Sequence, residues 1–188
     1  MEKYLRTFIG LPLRVEPVFL GARRDLMRAL EGEQISWTNP DQYHVTLRFI
    51  GDTEHSSVKE IGNALHAGVT VPGRTVLETG KLGSFGQRKR PRVIWTGFTE
   101  NGFFEALKLQ VDRALQVCGI PPPEQEFRAH LTLGRVRSLQ DLRGYYQKIE
   151  EMEKMFISQV LFEKLVFFRS ILGSSGPEYQ ALDEIYFT

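Results

Sequence analysis

Apolar positions along this chain alternate between the two-residue period of a strand and the three-to-four-residue period of a helix, and the switches mark its elements. Residues 4–11 predict a strand that ends at Pro12. Residues 15–31 take helical spacing through Val18, Leu26, Met27 and Leu30 before Gly32. A short extended piece follows at 35–37, and the turn Asn39-Pro40-Asp41 leads into a strand at 44–50 that stops at Gly51. A helix capped by Ser56 or Ser57 then buries Val58, Ile61, Ala64 and Leu65 and ends at Gly68.

The remaining residues repeat this grammar. Strands are predicted at 75–82 and 92–98, joined by Gly83-Ser84-Phe85-Gly86 and an arginine-bearing loop. Phe103, Phe104, Leu107, Val111, Ala114 and Leu115 recur at helical spacing up to Gly119, and Pro121-Pro122-Pro123 forbids continuation. A strand is predicted at 127–136, a helix at 139–152, extended structure at 157–172 and a last strand at 179–187. The order strand, helix, strand, strand, helix is echoed after residue 75, with no low-complexity linker between the halves. The echo predicts an internal duplication folded as one domain over 1–188. Its class is α+β, with two pseudo-symmetric lobes, antiparallel sheets facing a central cleft and helices outside.

A length of 188 residues with 41% hydrophobic and 25% charged side chains fits a globular chain able to bury a continuous core. Charge interrupts the first residues too early for a signal-peptide apolar region, and no apolar run approaches membrane-spanning length, so a cytoplasmic protein with no membrane contact is expected. The single Cys118 cannot form an internal disulfide and reads as a small core residue. A net charge of +1 gives no whole-protein attraction to a polyanion, so any nucleic-acid contact must be local. Two local candidates stand out, Arg88-Lys89-Arg90-Pro91-Arg92 and the pair Arg135 and Arg137.

Within the two echoed strands one short pattern occurs twice, His44-Val45-Thr46-Leu47 and His130-Leu131-Thr132-Leu133, in a chain with four histidines. Two copies should arise by accident on the order of once in a thousand sequences of this composition. Alternation puts His44 with Thr46, and His130 with Thr132, on one face of each strand, with an aliphatic pair buried behind. An imidazole titrates near neutrality, so one can accept a proton while another donates one. Such a general acid and base suit displacement at phosphorus, where an attacking oxygen loses a proton as a leaving oxygen gains one. The threonine hydroxyls can hydrogen-bond the non-bridging oxygens, where charge accumulates.

No Gly-x-Ser-x-Gly elbow, phosphate-binding glycine loop or His-Glu-x-x-His occurs, which argues against serine and zinc hydrolases. Two histidines with no carboxylate at ligand spacing make an incomplete catalytic zinc site, so neither metal nor cofactor is expected. His55, in a polar stretch, and His66, on a helix, read as structural or solvated.

These residues resemble the RNA 2′,3′-cyclic phosphodiesterases, also called 2′-5′ RNA ligases, of the two-histidine phosphoesterase superfamily. The resemblance covers nearly the whole chain. It is carried by Thr7-Phe8-Ile9-Gly10-Leu11, Tyr43-His44-Val45-Thr46-Leu47-Arg48-Phe49-Ile50-Gly51 and Arg90-Pro91-Arg92-Val93-Ile94-Trp95. It resumes at Phe127-Arg128-Ala129-His130-Leu131-Thr132-Leu133-Gly134-Arg135-Val136, Phe168-Arg169-Ser170 and Gly176-Pro177-Glu178-Tyr179. Ala129 departs from the proline usual before the second histidine, a change at the strand's entry that removes no chemistry.

The resemblance implies metal-independent hydrolysis of an RNA 2′,3′-cyclic phosphate end to a 2′-phosphomonoester, with reverse 2′-5′ ligation as a further activity. It implies His44 as proton donor to the leaving 3′ oxygen, His130 as the base that activates water, Thr46 and Thr132 as phosphate ligands, and Arg135 as an assisting cation. Arg135 is at an odd offset from His130, which simple alternation puts on the opposite face unless Gly134 bulges the strand. The loop residues Arg88, Lys89 and Arg90 would grip the RNA backbone, and Phe85 or Phe49 could stack on a base. The odd offset of Phe49 from His44 favours a core aromatic instead. The partner expected is RNA with a cyclic phosphate terminus, tRNA halves or cyclic nucleotides among the candidates, met by a monomer. Two other readings stay open: a non-catalytic RNA-end binding module, and a metal-dependent phosphodiesterase that activity in excess chelator would eliminate.

Overall fold

A computed structural model describes residues 3–70, 73–99, 102–173 and 176–188. Its strands are β1 (Tyr4–Pro12), β2 (Arg14–Val15), β3 (Gln34–Trp37), β4 (His44–Glu54), β5 (Thr75–Gln87), β6 (Arg90–Phe98), β7 (Leu131–Ser138), β8 (Ser158–Phe162), β9 (Lys164–Gly173) and β10 (Gly176–Tyr186). The helices are α1 (Pro17–Ala29), α2 (Val58–Gly68), α3 (Phe103–Val117) and α4 (Leu142–Met152). Two begin where local chemistry favours it, whereas α2 starts after Ser57 without the side-chain cap expected of that serine. Pro17 opens α1, where its missing N–H would have no partner anyway, and the Asp141 carboxylate accepts from the Gly144 N–H to cap α4.

The strands form one antiparallel path, β10-β9-β1-β4-β7-β6-β5-β8-β2, with β3 added beside β7. The seam between β4 and β7 divides this path into two matching arms. Outward on one side run β4, β1, β9 and β10; on the other run β7, β6, β5 and β8. The arms are the two lobes of a bilobal α+β fold. They meet through a single described pair, Val45 with Leu131.

The lobes exchange helices across the chain. α2 packs with α3, and α3 lies against β4, whereas α1 packs with α4, and α4 lies against β5. Phe19 of α1 meets Phe156, just past α4, edge to face at 5.2 Å. The C-terminal strands β9 and β10 close the lobe that holds β1. Each lobe is therefore built from both halves of the sequence, and one core runs through both.

Several boundaries differ from the sequence expectation for identifiable reasons. β4 continues past Gly51 to Glu54: Ile50 is an extra residue in the pairing with β1, Gly51 takes φ +88°, a conformation only glycine adopts cheaply, and it pairs with Thr7 as the ladder goes on to Glu54. β7 starts at Leu131, where β4 and β6 first supply partners, so residues 127–130 enter it as an unpaired approach. Residues 157–172 form two strands that break at Glu163. Cys118 is half-buried against the core, as expected of a small apolar filler.

Candidate active site

The seam brings the two sequence patterns together. Because β4 and β7 run antiparallel through Val45 and Leu131, His44 lies towards Thr132, and His130 lies towards Thr46. All four side chains line one cleft of about 740 Å³. Behind them Val45, Leu47, Leu131 and Leu133 are buried, as period-two alternation requires.

The two imidazoles are held by the same device. His44 Nδ1 donates to the Gln42 carbonyl at 2.8 Å, and His130 Nδ1 donates to the Arg128 carbonyl at 2.7 Å, each two residues upstream. A carbonyl can only accept, so Nδ1 carries the proton and Nε2 is left to exchange one with a ligand. Aromatic rings fix the orientation. Tyr179 meets His44 edge-on at 4.9 Å and Phe8 lies 5.0 Å away, while Phe85 meets His130 edge-on at 4.7 Å and itself stacks on Trp95 at 4.9 Å.

Burial holds the His44 imidazole below the ordinary value of 6.5; the bond to Gln42 opposes this, and the charges of His130 and Arg135 push the same way. His130 is likewise held low by burial, with the Arg128 carbonyl opposing and Arg135 adding to the effect. A proton on one imidazole thus disfavours a proton on the other. The pair holds one proton more readily than two, which is what an acid and a base working together need.

Arg135 faces this cleft, and a strand irregularity puts it there. Ile94 pairs with Gly134 but Trp95 pairs with Thr132, so β7 carries an extra residue at Leu133, and Leu133 and Gly134 are buried in succession. The phase flips, and Arg135 emerges on the side of His130 and Thr132. Any larger residue at the flip would crowd its neighbours. A Cβ on Gly134 would stand 3.0 Å from both Ile35 Cγ2 and Trp37 Cε3.

β4 contains the same irregularity at the equivalent point. Ile9 pairs with Arg48 and Gly10 with Thr46, so Leu47 is the extra residue, and Leu47 and Arg48 are buried in succession. Phe49 therefore projects into the cleft, 50% exposed, rather than into the core as its odd offset from His44 suggested. The Arg6 guanidinium lies over its ring, 5.0 Å from the centroid.

The cationic lining side chains are Arg6, Arg135 and Arg137, and no Asp or Glu is among the described residues of the lining. The cleft is thus suited to an anion. Arg137 is steadied by its Nε donating to Ser36 Oγ at 3.1 Å. Among the described residues no three His, Cys, Asp or Glu side chains converge as a metal-ligand group. No helix there is long and apolar enough to cross a membrane.

Arg88, Lys89 and Arg90 do not line the cleft. Arg88 and Lys89 form the exposed two-residue turn of the β5–β6 hairpin, whose Phe85 reaches His130. Phe85 has one face on Trp95 and an edge contact with His130, and it is not among the side chains that line the cleft. His66 is tied to Asp183 at 3.1 Å, and His55 sits on an exposed turn; neither belongs to the site. Sequence reasoning assigned no role to Arg6 or Tyr179. Arg6 could have been found two residues before Phe8, on the same face of β1; Tyr179 reaches His44 only because β10 is recruited from the far end of the chain.

Comparison with known proteins agrees with this geometry. The family described as LigT like phosphoesterase matches residues 11–95. An RNA 2′,3′-cyclic phosphodiesterase of Aeropyrum pernix is 32% identical over 155 residues, covering 82% of this chain and 87% of that one. One of Aquifex aeolicus is 28% identical and covers 98% of each. In fold the chain is similar to TT0787 of Thermus thermophilus, with a TM-score of 0.74 at 19% identity and 97% coverage of each chain. It is also similar to E. coli LigT complexed with 3′-AMP, with a TM-score of 0.72 at 17% identity, covering 98% of this chain and 99% of that one. With its paired histidine strands set in this fold, the chain belongs to the LigT-like, two-histidine phosphoesterases, the family of the RNA 2′,3′-cyclic phosphodiesterases.

Proposed function

We propose that the cleft hydrolyses RNA 2′,3′-cyclic phosphate ends to 2′-phosphomonoesters. Water attacks phosphorus and gives its proton to His130 Nε2 as the P–O3′ bond breaks. His44 Nε2 gives its proton to the departing 3′ oxygen, leaving a 2′-phosphate and a free 3′ hydroxyl. One proton enters the pair as one leaves, and solvent exchange restores the starting state. Thr46 and Thr132 hydrogen-bond the non-bridging oxygens, and Arg135 balances their charge in the transition state. A 5′ hydroxyl in place of water would give a 2′-5′ linkage by the same steps.

The observation that carries this reading is the matched tether of the two imidazoles. Each gives Nδ1 to a carbonyl and keeps Nε2 for a ligand, in a cleft lined by cations. The bilobal core of 1–188 works as one domain, since each lobe needs strands and helices from both halves of the chain. A monomeric, cytoplasmic protein acting on RNA ends, tRNA halves or cyclic nucleotides completes the proposal, with Arg88, Lys89 and Arg90 holding RNA upstream of the reacting end.

The test is incubation of a nucleoside 2′,3′-cyclic phosphate, and of an RNA with that end, in excess chelator, with 2′ and 3′ products resolved. The expected product is the 2′-phosphate, and His44→Ala or His130→Ala should each lower turnover by about 10²–10⁴-fold while the protein stays folded. No product from either substrate, with binding retained, favours an RNA-end binding module; activity lost to chelator favours a metal-dependent enzyme.

A further inference from the structure

The two imidazoles share one kind of tether and one kind of neighbour, but the neighbours differ by a hydroxyl. Phe85 of β5 meets His130 edge-on at 4.7 Å, and Tyr179 of β10 meets His44 edge-on at 4.9 Å. Phe85 is stacked on Trp95 and stands outside the cleft lining. Tyr179 is part of that lining, half-buried, with its ring against both Phe8 and His44. The contacts of the ring leave its hydroxyl free, since it makes no hydrogen bond to any described residue.

The lobes differ in a second way at the same place. Their strand irregularities are equivalent, yet β7 delivers the Arg135 guanidinium to the cleft and β4 delivers the Phe49 ring. Beyond Thr46, β4 itself therefore offers a phosphate no polar side chain, and Tyr179 is the polar group that the neighbouring β10 brings to that lobe. Burial raises the Tyr179 phenol above the ordinary value of 10, against the charges of Arg135 from one lobe and Arg6 from the other. The hydroxyl thus keeps its proton throughout the range in which imidazoles exchange theirs, and it lies within reach of two cations that draw an anion in.

We infer that the Tyr179 hydroxyl donates a hydrogen bond to a non-bridging oxygen of the bound phosphate, making Tyr179 a further catalytic residue of the lobe that holds His44. The inference rests on the reading of the cleft as a site of cyclic phosphate hydrolysis, and it adds a neutral donor where negative charge grows as the P–O3′ bond breaks. The proton stays on the phenol throughout, so Tyr179 takes no part in the exchange between the two imidazoles.

The test compares kcat/KM of the wild type and Tyr179→Phe, which keeps the ring against Phe8 and His44, on a nucleoside 2′,3′-cyclic phosphate and on its two phosphorothioate diastereomers. The expected result is that Tyr179→Phe lowers kcat/KM roughly 10–100-fold on the oxygen substrate and on one diastereomer. The other diastereomer carries sulfur, a weak acceptor, where the phenol donates, so it has little of this contact to lose. An unchanged kcat/KM on the oxygen substrate overturns the inference. So does an equal loss on all three substrates, which would assign the hydroxyl to holding His44. If the wild type turns over none of them, the enzyme reading fails and calorimetric binding of adenosine 2′-monophosphate decides. Binding roughly tenfold weaker in Tyr179→Phe keeps the phosphate contact, and equal binding overturns it.

Discussion

Val45 faces Leu131 across the seam between the lobes, the one described pair that joins β4 to β7. Both are sealed from solvent, at 0% and 1% exposure, and each directly follows a histidine. The distance and angle between the imidazoles therefore depend on apolar packing one residue away. Leu131→Ala should cost about 2–5 kcal/mol of stability by leaving a cavity, read by urea unfolding. Turnover should also fall at temperatures where circular dichroism reports a folded protein. Unimpaired turnover in a destabilised protein would show that the seam does not set the geometry.

Activity by the proposed pair requires one neutral and one protonated imidazole. Burial and Arg135 hold both below 6.5 in the free protein, so the bell-shaped profile of kcat/KM should have its optimum on the acid side of 6.5, with limbs that belong to the pair. Arg135→Gln removes a charge that lowers both groups, so both limbs should move to higher pH while kcat falls. A profile that stays in place would exclude Arg135 from the electrostatics of the site. The same shifts act on stability. The unfolded chain takes up these protons first, so stability from this source is complete above 6.5 and is lost as pH falls through the lowered values.

Alternation along the chain was enough to place both histidines and both threonines on the strand faces that line the cleft, because that depends on short-range periodicity. What alternation could not show is where its own phase slips. An extra residue at Leu47 or Leu133 is visible only against the neighbouring strand, so Phe49 looked like core and Arg135 looked misplaced. Gly134 carried the single local hint, since a Cβ there meets Ile35 and Trp37. On β4 no glycine marks the slip; Arg48 stands there, and its charge disguises a buried position. The exchange of helices between lobes was hidden for a related reason, since it is decided by which apolar faces meet across the chain.

The hairpin turn at Arg88 and Lys89 lies outside the cleft, so its role in the proposal concerns RNA beyond the reacting nucleotide. The triple variant Arg88→Ala/Lys89→Ala/Arg90→Ala should weaken RNA binding in proportion to the length of the single strand. It should also reduce the slope of log K against log salt by up to about two, at roughly 0.7 per phosphate contact. Filter binding at several salt concentrations measures it. A wild-type slope would assign the turn to solvent and leave the upstream RNA to other residues.

Behind β4 the Arg48 guanidinium is 8% exposed and stands 3.8 Å from Asp112 of α3, with its Nη2 donating to the Pro121 carbonyl. Lys108 also bonds Asp112. Arg48 Nε and Nη1 and Asp112 Oδ1 have no hydrogen-bond partner of their own, so the buried guanidinium relies on the nearby carboxylate for charge compensation. Removing one partner exposes the other to the full cost of an unpaired buried charge. Asp112→Ala should therefore destabilise by about 3–5 kcal/mol, whereas Arg48→Leu/Asp112→Leu, which removes both charges, should recover most of that loss. Urea unfolding of the single and double variants forms the test. A cost below about 1 kcal/mol for Asp112→Ala would mean that water reaches the guanidinium. Recovery of stability without recovery of turnover in the double variant would show that the pair also holds the β4 irregularity, and with it Phe49, in place.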